Sequence, residues 1–192
     1  MPDLVVGTDG KARCAWASAP PDYVDYHDGE WGRPIHGDRA LFERLVLESF
    51  QSGLSWLTIL RKRAAFRAAF ADFDFAAVAG FAAADVDRLL GDAGIVRNRA
   101  KILATIANAR ATLALVDADG PGALDRLIWS ARPNEWVRPV SLADLPARTP
   151  ESSELARRLK GLGFSFIGPV TAFAAMCAVG VVDAHLVGCH RA

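Results

Sequence analysis

Lysine, cysteine and net charge are all scarce in this sequence of 192 residues, and each shortage excludes a class of protein. Lysine accounts for four of the 22 basic residues, and 22 acidic residues cancel their charge. A neutral chain is not a polybasic protein held on nucleic acid or membrane by bulk charge, although a local basic surface is compatible with it. Three cysteines cannot form a disulfide framework, and an odd number favours a reducing compartment. Because residues 1–10 also lack the pattern of a secretory signal, we expect a cytoplasmic protein.

Long apolar runs are also scarce, and one stretch alone has the length of a membrane span. Residues Phe164 to Val182 contain nineteen residues without a charge. Gly168-Pro169 and Gly180 divide this stretch, and such residues are typical of the start and end of a helix. We therefore predict a buried core helix of about three turns here rather than a membrane helix.

The composition is that of a folded chain, with 52% hydrophobic and 23% charged residues. Apolar side chains recur at helical spacing and alternating strand patterns are nearly absent, which predicts an all-α fold. We assign residues 1–13 to a flexible N-terminal arm and residues 14–192 to a single domain. The predicted helices are 38–52 with Asp38 as its N-cap, 54–70, 85–90, 98–116, 123–131, 154–162, 169–179 and 182–188.

Glu48 puts a carboxylate on the apolar face of the first predicted helix, where it continues the stripe of Leu41 and Leu45. An unpaired buried carboxylate is costly unless it takes up a proton, so two interpretations are open. Glu48 either lies at the margin of the stripe or caps a neighbouring helix, or it points into a pocket and binds a ligand. Trp56 follows a helix break at residues 51–55. A large aromatic side chain at this position is compatible with a core residue and with a ligand site.

Two cysteines and two histidines near the ends of the sequence have the chemistry of a metal site. Cys14 and His27 lie near its start, and His185 and Cys189 are four residues apart near its end, where a helix would put them on one face. Two thiolates and two imidazoles suit tetrahedral zinc, and a closed set of four ligands is structural rather than catalytic. Isolated cysteines and histidines are more often core or surface residues, and His190 competes with His185, so alternatives remain.

Residues 85–116 are predicted to form a helix, a glycine turn and a second helix, a hairpin that could hold a phosphate. We expect Gly94 to adopt a positive φ and the amides of the following helix start to point toward an anion. Arg97, Arg99 and Lys101 add positive charge beside the turn. Such a hairpin would let a neutral protein grip one DNA strand. The alternative is an αα-hairpin whose basic edge faces water.

Several short motifs occur in the order found in one enzyme family. They are Cys14-Ala15-Trp16, Tyr26-His27-Asp28-Gly29-Glu30-Trp31-Gly32, Leu47-Glu48, Gly53-Leu54-Ser55-Trp56, Asp92-Ala93-Gly94-Ile95-Val96-Arg97, and Gly163-Phe164 through His185. In these motifs the chain resembles the bacterial 3-methyladenine DNA glycosylase I family, of the helix-hairpin-helix superfamily, over about residues 13–189. The resemblance implies a helix-hairpin-helix fold with a zinc site that ties the N- and C-terminal segments together.

The resemblance also implies roles for particular side chains. Tyr26 and Glu48 would hydrogen-bond the excised base as the catalytic residues, in a pocket formed with Trp16, Tyr23 and Trp56. DNA would be contacted by Gly53 and Leu54, which enter the space left by the flipped base, and by the hairpin at Gly94, Val96, Arg97 and Arg99. One structural zinc ion would be bound by Cys14, His27, His185 and Cys189.

The implied activity is that of a monofunctional glycosylase of base excision repair. It flips 3-methyladenine out of alkylated duplex DNA, hydrolyses the glycosidic bond and leaves an abasic site. Lys101 fits a phosphate contact better than a nucleophile, and the group that activates water stays open, with Asp117 and Asp119 as candidates. The implied partner is alkylated duplex DNA, with no membrane and no protein partner.

The sequence departs from the family pattern at Phe50, Phe173, Asp183 and Ala184, which bear on hydrogen bonding in the pocket. Two alternatives therefore stay open. One is a damage-binding protein that excises nothing, and the other is a glycosylase for a different alkylated purine.

Overall fold

The computed structural model describes residues 3–192, and this part of the chain is mostly helical. Its α-helices are α1 (Pro21–Gly29), α2 (Asp38–Gln51), α3 (Trp56–Ala69), α4 (Phe75–Ala79), α5 (Ala83–Gly91), α6 (Arg99–Asp119), α7 (Ala123–Trp129), α8 (Pro150–Gly161) and α9 (Pro169–Ala178). The helical content is that of the predicted all-α class. Residues 132–149 are largely irregular, as their prolines predict, with one short 3-10 turn at Leu142–Asp144.

Helix α2 lies at the centre of the fold and packs against α3, α6, α7 and α9. Its apolar face is fully buried at Leu41 and Leu45, and aromatic residues fill the core around it. Phe50 at the end of α2 contacts Phe66 of α3, with ring centroids 4.7 Å apart. A central helix of this kind carries every side chain of its inner face into the interior, including the polar ones.

The segment predicted as a flexible arm contains a small antiparallel sheet of β1 (Leu4–Val6) and β2 (Ala12–Cys14). Leu4 packs beside Cys14 and Cys189, and the Arg13 guanidinium donates to the carboxylates of Asp9 and Asp28. The two strands were not predicted, because strands of three residues are too short to show an alternating pattern.

Two of the predicted helix features were wrong, and one helix was missed. Asp38 does not cap α2, whose N-cap is Gly37; its carboxylate accepts from the amides of Gly122 at 2.6 Å and Asp125 at 3.0 Å, at the start of α7. Residues 182–188 are not helical. They are largely irregular and are held by hydrogen bonds to distant parts of the chain, such as that from the Val187 amide to the Pro139 carbonyl at 2.8 Å. Helix α1 was missed because charged and polar residues dominate its sequence.

The long apolar stretch contains the ten-residue helix α9, and six of its residues are buried. It starts at Pro169 as predicted, and its carboxyl end leads into Gly180, which has a φ of 78°. Within residues 3–192, no helix combines the length and the apolar character needed to cross a membrane.

Candidate functional site

A cavity of about 470 Å³ opens between α1, α2, the start of α3 and α9. The five residues predicted to bind a base all line it: Trp16, Tyr23, Tyr26, Glu48 and Trp56. Segments from residue 16 to residue 184 contribute to its wall. The fold therefore brings together side chains that lie far apart in the sequence.

Aromatic rings form much of the cavity wall. Tyr26 and Trp56 have ring centroids 5.3 Å apart, and Trp16 meets Tyr23 edge-on at 5.6 Å. The Tyr23 hydroxyl accepts from the amide of Leu57 at 3.0 Å, which fixes this ring against the start of α3. Trp56 is almost buried, and within residues 3–192 its Nε1 has no hydrogen-bond acceptor. A ligand with an acceptor atom would satisfy this indole N–H.

Glu48 is the acidic group of the cavity and is 5% exposed. Burial raises its pKa to about 7, although the nearby Arg44 guanidinium opposes the rise. No backbone amide among residues 3–192 donates to its carboxylate, which leaves the helix-capping interpretation without support. A carboxylate buried without a partner at the wall of a cavity is arranged to receive donors from a ligand.

Arg44 is a buried cation that the sequence analysis missed. It lies one helical turn before Glu48 and is 5% exposed. Its Nη1 donates to the Tyr26 hydroxyl at 3.0 Å, and its guanidinium carbon lies 5.6 Å from the Tyr26 ring and 5.4 Å from the Trp56 ring. The spacing of four residues from Glu48 was the available signal, because such residues share a helix face.

The four predicted metal ligands converge next to this cavity. The donor atoms of Cys14, His27, His185 and Cys189 lie within 4.8 Å of one another, and all four residues are buried. The Cys189 Sγ is 3.5 Å from His27 Nε2 and 3.7 Å from His185 Nδ1. Tetrahedral zinc with bonds of about 2.0–2.3 Å separates neighbouring donors by roughly 3.5 Å, so the set fits such an ion.

Outer hydrogen bonds orient both histidine rings toward this cluster. His27 Nδ1 contacts the Asp28 carboxylate at 2.8 Å, and His185 Nε2 donates to the Trp31 carbonyl at 3.2 Å. Metal-binding histidines commonly carry such second contacts, which fix the ring and its tautomer. His190, the competing candidate, instead contacts Asp28 at 2.9 Å from the outer side. The convergence does not use a shared helix face, since residues 182–188 are not helical.

The predicted hairpin forms from α5, the turn at residues 92–98 and α6. Arg97 and Arg99 are exposed on it, and Val96 is half-buried against the core. Gly94 does not have the predicted positive φ. Glycine is required here for a different reason, because a Cβ would lie 2.9 Å from the Ala65 side chain of α3.

Replacing Gly94 with alanine (G94A) is expected to lower the free energy of unfolding by about 1–3 kcal/mol, because the added methyl group must displace well-packed atoms. Urea denaturation measures the change. Gly91, at the end of α5, is the matched control, since a Cβ there meets no atom within 4 Å. G91A is expected to be neutral or stabilising. Equal destabilisation by the two variants would contradict the packing explanation.

Lys101 does not face solvent as the phosphate prediction required. It is 7% exposed, and its Nζ donates to the carbonyls of Phe50 at 2.8 Å and Ser52 at 2.6 Å. This ammonium ion therefore stabilises the end of α2 and the loop that follows. Gly53 in that loop has a φ of 81°, and the Leu54 side chain is 42% exposed beside the cavity residue Ser55.

The candidates for water activation and the departures from the family pattern lie at different distances from the cavity. Asp117 and Asp119 are exposed at the end of α6, and neither lines the cavity. Phe173 and Ala184, two of the predicted departures, are part of the cavity wall. Asp183 pairs with Arg138 at 2.6 Å, outside the cavity.

Comparison with known proteins shows which family this chain resembles. The methyladenine glycosylase family matches residues 16–192. DNA-3-methyladenine glycosylase 1 of Escherichia coli K12 is 42% identical over 179 residues, covering 92% of this chain and 95% of that protein. A solved 3-methyladenine DNA glycosylase I superposes with a TM-score of 0.87 at 43% identity, over 93% of this chain and 98% of that one. The Staphylococcus aureus enzyme, solved to explain its recognition of 3-methyladenine, gives 0.86 at 38% identity, over 93% of this chain and 95% of that one.

The helical fold and its aromatic cavity with a buried carboxylate define a DNA glycosylase, an N-glycosyl hydrolase. The family predicted from the short motifs is confirmed. This chain belongs to the methyladenine glycosylase family.

Proposed function

We propose that this protein releases 3-methyladenine from alkylated duplex DNA by hydrolysis of the glycosidic bond and leaves an abasic site. The observation that carries the proposal is the unpartnered carboxylate of Glu48, buried in one cavity with Tyr26 and Trp56. The Escherichia coli and Staphylococcus aureus relatives, named as 3-methyladenine glycosylases, support the choice of substrate.

The charge of the damaged base explains why these residue types suit it. A base methylated at N3 in DNA is cationic, which weakens its glycosidic bond and its pairing, so it is less costly to extrude than a normal base. A cation over the Trp56 ring gains about 0.5–2 kcal/mol. The ionised Glu48 carboxylate attracts the cation and accepts hydrogen bonds from its amino group, which a neutral adenine benefits from less.

Binding of the cationic base in the cavity promotes hydrolysis of its glycosidic bond. The protein stabilises the leaving base with the aromatic rings of the cavity and the Glu48 carboxylate, while water attacks the sugar carbon from which the base departs. The C–N bond breaks and its electron pair stays with the base, which leaves as neutral 3-methyladenine. The hydroxyl of water joins the sugar and the remaining proton passes to solvent. The strand stays intact because no side chain forms a covalent bond to it.

Two surface elements bind the duplex. The exposed guanidinium groups of Arg97 and Arg99 on the hairpin pair with phosphates of the damaged strand. Gly53 and Leu54 enter the duplex in place of the extruded nucleotide, since Leu54 is an exposed apolar side chain on a loop that Lys101 holds in place. Apolar wedges of this kind stabilise an unstacked base step.

Cys14, His27, His185 and Cys189 would hold one structural zinc ion. Burial raises the pKa of the Cys14 thiol to about 12 and lowers that of His185 to about 4, so both are neutral without a cation nearby. A bound zinc ion would stabilise the thiolates and would join β2 to the C-terminal turn.

The rate of base release is expected to fall as the pH drops below about 7. Glu48 has a pKa of about 7, raised by burial, and only its ionised form accepts hydrogen bonds from the base on both oxygens. Protonation below that pH removes the negative charge, so the rate rises with pH and levels off above about 8. Single-turnover release between pH 5 and 9 measures this profile. An equally steep profile in the Glu48→Gln variant would contradict the assignment to Glu48.

The direct test incubates the purified protein with methylated duplex DNA and identifies the freed bases by chromatography. Release of 3-methyladenine, with an intact strand that breaks only on alkali treatment, supports the proposal. Release of 7-methylguanine in similar yield would indicate that Phe173 and Ala184 have widened the substrate range. Tight binding without release would favour a damage-binding protein.

A further inference from the structure

Arg44 is buried against two rings of the cavity wall, those of Tyr26 and Trp56, and neither the motifs nor the family resemblance assigns it a role. Its Nη1 contacts the Tyr26 hydroxyl at 3.0 Å, and its Nη2 is 3.9 Å from the Glu30 carboxylate. Glu30 already has a bidentate partner in Arg63, so Arg44 is not needed to neutralise it. The closest directed contact of this buried cation is therefore the phenol oxygen.

This contact fixes the direction of the Tyr26 hydroxyl proton. A guanidinium group has donors only, so the Tyr26 oxygen must accept from Arg44. The phenol then has one proton left to donate, and within residues 3–192 it donates to no protein acceptor. Because Tyr26 lines the cavity, that proton is available to a ligand. Tyr26 is thus a donor toward the base, while ionised Glu48 is an acceptor only.

A donor beside an acceptor matches one type of purine edge. Adenine presents an acceptor at N7 and a donor at its N6 amino group, whereas guanine presents acceptors at both N7 and O6. Resting on the function proposed above, we propose that Arg44 is a positioning residue that sets the hydrogen-bond polarity of the cavity and thereby selects adenine-type over guanine-type bases.

The electrostatic surroundings of Glu48 act in the same direction. The titratable and charged groups that face Glu48 are Arg44 from α2, Tyr26 from α1 and the thiol of Cys177 from α9. Arg44 is the cation among them, and it opposes the rise in the pKa of Glu48 that burial causes. Without Arg44, Glu48 takes up a proton more readily and becomes a donor, which suits the O6 of guanine.

The test measures the ratio of 3-methyladenine to 3-methylguanine released from chemically methylated duplex DNA. Arg44→Met (R44M) removes the donor and the charge but keeps an apolar stem, and we expect it to lower this ratio about tenfold or more. Arg44→Lys keeps a donor and a charge and is expected to restore most of the ratio. Arg157→Met, at an exposed arginine of α8 outside the cavity, is the matched control and should leave the ratio unchanged.

Two further measurements separate positioning from a merely structural role. Loss of packing would lower the release of both bases together and leave the ratio constant, which would overturn the proposal. In a Tyr26→Phe background, which lacks the hydroxyl, R44M acts through Glu48 alone and is expected to change the ratio less than in the wild type. An undiminished change would also overturn the proposal. If R44M does not fold, Arg44→Gln and Arg44→Lys provide the same comparison.

Release by the wild type tests the proposed function, and a binding measurement tests the role of Arg44 independently of release. If the wild type releases no base, the proposed function fails, and calorimetric titration with free 3-methyladenine and free 3-methylguanine then measures the same preference. Tighter binding of 3-methyladenine by the wild type, reduced in R44M, would support the role of Arg44. Equal preference in the two proteins would overturn it.

Discussion

Replacing Glu48 with glutamine (E48Q) is expected to lower the rate of 3-methyladenine release about 10²–10³-fold, the effect of removing a preorganised electrostatic contact from a water-poor site. The amide keeps the size of the side chain but loses its negative charge, so it no longer stabilises a cationic base. The variant is expected to fold and to be at least as stable as the wild type. Burial raises the pKa of Glu48 to about 7, so the ionised form costs stability above that pH, and E48Q removes this cost. We expect E48Q to have a higher Tm than the wild type at pH 8.

Glu43→Gln is the matched control for this prediction. Glu43 lies on the same helix, but it pairs with Arg67 at 2.8 Å and does not line the cavity. E43Q should keep wild-type rates of base release. The account of Glu48 would be wrong if the two variants had the same activity, or if E48Q lost activity only because it unfolded.

Removing one thiolate from the metal cluster is expected to have the largest effect on stability. Cys189→Ser (C189S) should lose the one zinc ion per chain that we expect in the wild type, and its Tm should fall by at least about 10 °C. The cluster joins the N-terminal sheet to the C-terminal turn, alongside the apolar packing of Leu4 and the hydrogen bond from the His190 amide to the Ala12 carbonyl. Elemental analysis of the purified proteins and thermal unfolding measure both quantities.

Cys177→Ser provides the matched comparison, because Cys177 is a buried cysteine of α9 that does not belong to the cluster. C177S should retain zinc. A wild-type protein that is purified free of metal and yet has the same Tm after zinc is added would contradict a structural zinc ion.

The apolar stripe of α2 predicted the buried position of Glu48 because a helix repeats its faces every three to four residues. The same reasoning fails where an element is short or packs through polar contacts. Helix α1 carries Tyr26 and His27 but has too few apolar residues to show a period. The motifs identified both residues nevertheless, since they depend on side-chain chemistry rather than on periodicity.

The roles of long polar side chains could not be predicted, because they depend on which neighbours the fold supplies. Lys101 has the sequence context of a phosphate contact, yet it reaches across to the carbonyls of Phe50 and Ser52. Asp38 has the position of a helix cap, yet it accepts amides of another helix start. Arg44 interrupts an apolar stripe in the same way as Glu48, but its partner Tyr26 lies 18 residues away in the chain.

The central claim is that the cavity bounded by Tyr26, Glu48 and Trp56 is where the damaged base binds. Calorimetric titration of the wild-type protein with free 3-methyladenine at pH 8 tests it most directly, with E48Q, Trp56→Ala and the control E43Q measured in parallel. The account predicts one base per chain for the wild type and E43Q, and affinities at least about tenfold weaker for the other two variants. No binding by the wild type, or equal affinity in all four proteins, would contradict it.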